Sequence, residues 1–180
     1  MMRACLARAW CRCRDETGAV ALEFVLVFPV MAALIALTLE MGLITLRQTM
    51  LDRGLDMAVR EVRLGTGTNP SHDEIKELIC QNALFVQECN NKMFLEMEAS
   101  DARAFTPLNA TAVCTDDTLP DGARPARRFV PGQPNEIVML RACLKYSPVF
   151  PEAILGQLLH KDGAGEAAIL AVSAFVQEPN

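Results

Sequence analysis

GAVALEFVLVFPVMAALIALTLEMG, residues 18 to 42, is the stretch on which the architecture of this chain turns. From Ala19 to Leu39 it holds a single ionisable side chain, Glu23. As a helix rising about 1.5 Å per residue, that run reaches roughly the 30 Å of a bilayer's hydrocarbon core. Twelve of its residues are Val, Leu, Ile or Phe. They favour insertion by about 4 to 7 kcal/mol, against at most ~3 kcal/mol for one acid, and less for an acid near the end. Insertion wins.

The flanks give the segment a direction. Arg3, Arg8, Arg12 and Arg14 precede it against Asp15 and Glu16, a net of +2, and only Arg47 follows closely. That asymmetry predicts a cytoplasmic N-terminus and an exported C-terminal part. A cleaved secretory signal has a shorter apolar core ending in a small-residue cut site. Here the run is too long and continues into Glu40 and a further helical pattern, so the segment is expected to remain. Pro29 lies inside it, removes one backbone donor and crowds the carbonyl of Val25. Either a kink results or the proline is simply tolerated, as many are in membranes.

Glu23 needs a partner or a proton in lipid. It could snorkel to the interface. A cut between Gly18 and Ala19 offers another solution, because it creates an ammonium on Ala19 and makes Glu23 the fifth residue of the shortened chain. That ammonium could pair with Glu23 on its own helix or, in an assembly, on a neighbouring one. A pair of the second kind in low dielectric would set the axial register between subunits.

The chain has 180 residues and a net charge of -5, which leaves -7 for the part beyond residue 18. Such a balance argues against a nucleic-acid partner. Arg124, Arg127 and Arg128, interrupted by Pro125, read as a solvated loop. Seven cysteines divide at the same boundary. Cys5, Cys11 and Cys13 sit in the leader with no recognisable spacing. Cys80, Cys89, Cys114 and Cys143 form an even set in the exported part and suggest two disulfides, with buried free thiols as the alternative.

Beyond the apolar run Leu51, Leu55, Ala58, Val59 and Val62 make one stripe, with Arg47, Asp52, Arg53, Asp56, Arg60 and Glu61 on the remaining surface. One helix over residues 19 to 64 is predicted, weakened at Gly54 by about 1 kcal/mol and stopped at Gly65. Ser71 and Glu74 form a capping box for a second helix that runs to about Val86–Gln87. Lys92 to Ala99 and Glu136 to Tyr146 alternate as half-buried strands. Residues 100 to 134, broken by five prolines, are expected to be mostly loop. Glu152 to Leu159 suggests a short helix. Ala167 to Val176 fits a last strand, although its alanines also suit a helix. Four cysteines allow three connectivities; Cys80–Cys89 with Cys114–Cys143 is favoured. Nine helical steps would part Cys80 from Cys89 by about 13 Å, so the first bond requires a break in the helix. The fold class is therefore α+β: a long N-terminal transmembrane and stem helix carrying a small disulfide-bonded head of antiparallel strands and short helices.

No catalytic motif, cofactor site or metal site is expected. His72 and His160 are isolated, and Ser71 beside His72 is explained by the cap. Asp116, Asp117 and Asp121 lack the spacing of an EF-hand, and the Asn109-Ala110-Thr111 sequon reads as chance. No phosphate loop or nucleophile elbow is present.

The basic leader ending in Gly18, with Glu23 at the fifth position of an apolar helix, resembles the prepilin-peptidase signal of type IV pilins and pseudopilins. DETGAVALEFVLVFPVM, residues 15 to 31, resembles the TadE-like proteins of the tight-adherence (Flp) pilus system. Arg60 and Arg63 before Gly65, and the final AFVQEPN, are similar to that family too. The resemblance implies a minor pilin or pseudopilin rather than an enzyme. It would be cut between Gly18 and Ala19 by a prepilin peptidase, with Glu23 as the pairing acid. Its implied partners are that peptidase, other pilin or pseudopilin subunits and inner-membrane lipid. Three regions follow: a leader over 1–18 that is removed, a transmembrane and stem helix over 19–64, and an exported head over 65–180. The location implied is the bacterial inner membrane, single-pass, with the head in the periplasm and an extracellular pilus as a further destination. The alternative is an uncleaved, membrane-anchored periplasmic scaffold or binding module.

Overall fold

The computed structural model describes residues 17–64, 71–84, 86, 88–100, 114, 129–133 and 135–177. The leader cysteines and Trp10, the sequon, Asp116, Asp117, Asp121 and the 124–128 arginines lie outside them. So does most of the proline-rich stretch. Along the chain come helix α1 (Thr17–Leu64), α2 (His72–Asn82), α3 (Cys89–Lys92), strand β1 (Met93–Ser100), β2 (Ile137–Tyr146), α4 (Ile154–Leu158) and β3 (Ala167–Val176). The chain divides into two compact units, Met1–Leu39 and Glu40–Asn180, and the boundary falls inside α1.

In the first unit α1 is uninterrupted at Pro29. No residue of its most apolar 18-residue window is buried, and Val20, Leu22, Phe24, Val25 and Leu26 are all more than half exposed. A helix apolar all round and uncovered by its own protein suits lipid. It fits a single-pass membrane anchor. Phe24 and Phe28, one turn apart, stack with ring centroids 5.2 Å apart. The Thr38 hydroxyl donates to the Ile35 carbonyl at 2.9 Å, so it adds no unsatisfied donor.

The second unit is an antiparallel sheet of order β1-β2-β3. Register runs from Met93 opposite Leu144 to Ser100 opposite Ile137, and from Ile137 opposite Val176 to Tyr146 opposite Ala167. Leu95, Leu140, Ala142, Leu144, Ile169, Ala171 and Phe175 share one face and pack with the predicted stripe of α1. Leu51, Leu55, Ala58, Val59 and Val62 are all buried there. Alternating burial along β3 and its pairing with β2 make that segment a strand, which removes the helical option.

Helix α2 ends earlier than the periodicity implies. Ser71 and Glu74 cap it reciprocally, Ser71 N donating to Glu74 Oε2 at 2.7 Å and Glu74 N to Ser71 Oγ at 3.4 Å. Its last turn closes at Ala83, whose N–H donates to the Ile79 carbonyl. The chain then reverses, with Glu88 in the left-handed region at φ 52°. That reversal brings Cys89 to 5.7 Å from Cys80 between alpha-carbons, and the two are disulfide-bonded. Cys114 is bonded to Cys143 of β2.

Gly54 has a role that its helix propensity does not suggest. A Cβ there would stand 2.7 Å from the Ile79 carbonyl oxygen and 3.1 Å from Ala83 Cβ. The glycine lets the end of α2 lie against α1, so the local cost in propensity permits a tertiary contact.

Candidate functional site

The features expected to carry function lie in the first turns of α1. Gly18 is helical and exposed, and a Cβ on it would meet nothing within 4 Å. Ala19 follows within the same helix. Glu23 is exposed one turn further on and has no hydrogen-bond or ion-pair partner among the described residues. The carboxylate is thus presented outward from an apolar cylinder, available to a group from elsewhere. Pro29 stands in an unbroken helical run.

At the start of the second unit lies a polar cluster that no sequence spacing reveals. Glu40 is fully buried. Its Oε1 and Oε2 accept from Val149 N at 3.2 and 3.1 Å, and Oε2 also accepts from Phe150 N at 3.0 Å. Two backbone donors that a tight loop would otherwise leave unpaired are satisfied by an ionisable acceptor. Two turns along α1, the Arg47 guanidinium lies 4.8 Å from the centroid of the Tyr146 ring. Its Nη1 is buried without a hydrogen-bond partner. Burial raises the Tyr146 phenol above its ordinary pKa, with Arg47 opposing and Glu40 reinforcing the shift. Sequence reading takes Glu40 only as the end of the apolar run. Its partners are 109 and 110 residues away, and the sole local hint is an acid bordering a membrane-length helix.

Ion pairs secure the far ends of the strands. Lys145 Nζ lies 2.6 Å from Asp162 Oδ2, with both side chains largely buried. Asp162 Oδ1 accepts from Ala164 N and Glu166 N, and so closes the turn before β3. Burial pushes the Asp162 carboxyl up, but the Lys145 bond and the two backbone donors outweigh it and hold the pKa below 3.8. Lys92 bonds Glu166 at 2.7 Å and Glu88 at 3.0 Å. The Glu166 bond, followed by the Glu88 bond, raises its pKa above 10.5.

Arg47, Lys92, Lys145, Tyr146 and Ser147 line a cavity of about 120 Å³. That is well below the roughly 300 Å³ at which small-molecule sites begin. His72 Nδ1 meets Asp73 at 2.9 Å, and its ring stands edge-on to Phe129. His160 is exposed in the turn region before β3. The two are not brought together, and no group of three potential metal ligands exists among the described residues.

Residues 18–60 match the family model for the TadE-like protein. The matched part spans Gly18, Ala19, Glu23, Pro29, Glu40 and Arg47, about a quarter of the chain. TadE-like proteins are pilus-associated and generally structural. No curated protein and no solved structure matches the chain.

Proposed function

Starting from a stem that is TadE-like over residues 18–60, we propose that this protein is a minor pilin or pseudopilin of a tight-adherence pilus. In this reading a prepilin peptidase removes residues 1–18 and the remainder takes part in pilus assembly. The observation that carries it is the single carboxylate of the apolar run. Glu23 is exposed, lacks a partner among the described residues, and sits four residues beyond the expected new terminus at Ala19. An ammonium on Ala19 of an adjacent subunit would neutralise it in lipid and fix the axial offset of neighbouring stems. Gly18 adds support. A helical glycine costs about 1 kcal/mol relative to alanine, and nothing among the described residues stands within 4 Å of where its Cβ would go. Recognition by a peptidase would account for a glycine at this position. Pro29 would loosen the turn back to Val25 and let stems bend as they pack.

The arginine-rich leader sets the N-terminus in the cytoplasm and the head, residues 65–180, in the periplasm. That compartment is compatible with the two disulfides. Other pilins or pseudopilins and the inner-membrane lipid are the remaining partners.

Intact-mass analysis of protein extracted from its native membrane tests the processing step, with an N-terminus at Ala19 expected. Retention of residues 1–18 would select an uncleaved, anchored scaffold or binding module instead. Glu23→Gln is expected to leave membrane insertion intact while abolishing pilus assembly. Unimpaired assembly by that variant would remove the pairing role.

A further inference from the structure

The loop held by Glu40 has an apolar outer surface. Leu158 is 78% and Ile154 62% exposed, the two most exposed large apolar side chains among the described residues of the second unit. Val149 and Met41, flanking the Glu40 clamp, are each 49% exposed. Ile154 and Leu158 are one turn apart on α4, and both lie on the side opposite Gly156. Gly156 is buried, and a Cβ there would stand 2.3 Å from the Phe150 carbonyl oxygen and 2.8 Å from that of Pro151. Helix α4 is therefore seated on the 150–151 backbone by its glycine and turns its two large side chains away from the protein.

Position along the chain says what they meet. Glu40 directly follows the apolar run, so with residues 19–39 in a bilayer it stands where the hydrocarbon ends. Its carboxylate holds Val149 N and Phe150 N within 3.2 Å. The loop is thus tied to the first residue beyond the apolar run by a buried carboxyl acceptor. Its backbone is suited to that depth. Ala153 N donates to Phe150 O, Gln157 N to Ala153 O and Leu159 N to Leu155 O, which spares those donors from facing lipid. Lys161 Nζ donates to Pro151 O, and His160 beside it is exposed. The surface is apolar, with Lys161 at its margin and Glu152 exposed within it, so its attraction to a bilayer rests on burial of apolar side chains rather than on net charge.

We propose that Val149, Ile154 and Leu158 form a foot that dips into the headgroup and upper acyl region of the bilayer on the head's side. The occupant of this surface is lipid. The inference rests on the reading of residues 19–39 as the anchor. A second contact point of this kind would hold the head at the membrane and be given up when the subunit leaves it for a fibre.

Tryptophan reporters in the full chain test the foot. Trp10 is the only native tryptophan, so Trp10→Phe gives a silent background into which Ile154→Trp, Leu158→Trp, Leu84→Trp and Phe28→Trp are placed singly. Each variant is reconstituted into vesicles of phosphatidylethanolamine and phosphatidylglycerol, with and without phosphatidylcholine brominated high or low on its acyl chain. Emission from the 154 and 158 reporters is expected to be blue-shifted and quenched most by the shallow bromines. The Phe28→Trp reporter should be quenched by the deep ones, and Leu84→Trp should stay water-like and unquenched. Quenching at 28 with water-like emission at 154 and 158 would overturn the foot and leave the anchor standing. A blue shift at 154 and 158 without bromine quenching would also overturn it, in favour of a neighbouring protein. No quenching at 28 would overturn the anchor and the foot together.

Discussion

Glu23 and Glu40 are acids on the same helix with opposite situations. Glu23 is exposed and unpartnered among the described residues, whereas Glu40 is completely buried and bonded to two backbone amides. Their substitution should separate cleanly. Glu40→Ala takes the acceptor from the Val149 and Phe150 N–H groups and empties a fully buried position, and is expected to destabilise the head by about 2 kcal/mol. Glu40→Gln keeps one carbonyl acceptor, buries a new donor and should cost less. Glu23→Gln should leave head stability within about 0.5 kcal/mol of the parent, since Glu23 is exposed and has no partner among the described residues. Thermal unfolding of the detergent-solubilised protein, followed by circular dichroism, reads all three. The role proposed for Glu23 can be read along the chain because it depends on sequential neighbours: a basic leader, Gly18 and an apolar helix. The role of Glu40 cannot, because its partners lie 109 and 110 residues further along the chain.

Strands β1 and β2 and the stripe of α1 over Leu51, Leu55, Ala58, Val59 and Val62 follow from periodicity, whereas β3, whose alanines also suit a helix, is settled by its pairing with β2. Helix α2 shows where such reasoning stops. Apolar spacing continues past Asn82, but the chain turns at Ala83 so that Cys89 can reach Cys80. Gly54 is the complementary case, a poor helix residue by local measure and a packing requirement in the fold. Gly54→Ala should therefore destabilise, despite a gain of about 1 kcal/mol in helix propensity. Overpacking against a backbone carbonyl costs roughly 1–3 kcal/mol, and a net loss of about 1 kcal/mol in urea unfolding is expected. A stabilised variant would mean that the end of α2 moves aside readily.

Taken entire, the protein joins an uncovered apolar helix to a head whose last turn is held by ion pairs, and this gives the head a pH window. The Asp162 pKa is lowered on folding, so its stabilisation is present above the ordinary value of 3.8 and is lost as pH falls through the folded value. The Lys92 pKa is raised, so its contribution is present below 10.5 and is lost as pH rises through the folded value. The melting temperature should be nearly level between about pH 5 and 9 and fall on both sides. Asp162→Asn should lower the plateau and flatten part of the acid limb; an unchanged acid limb would count against this assignment. By itself the sequence determined the membrane-length helix, the charge asymmetry around it, the strand alternation and the cap at Ser71, because each is carried by residues within a few positions of one another. Only the tertiary structure decided that Glu40 is a buried clamp and that Gly54 is a contact. Those depend on segments more than twenty residues apart meeting in space, and no local period records such meetings.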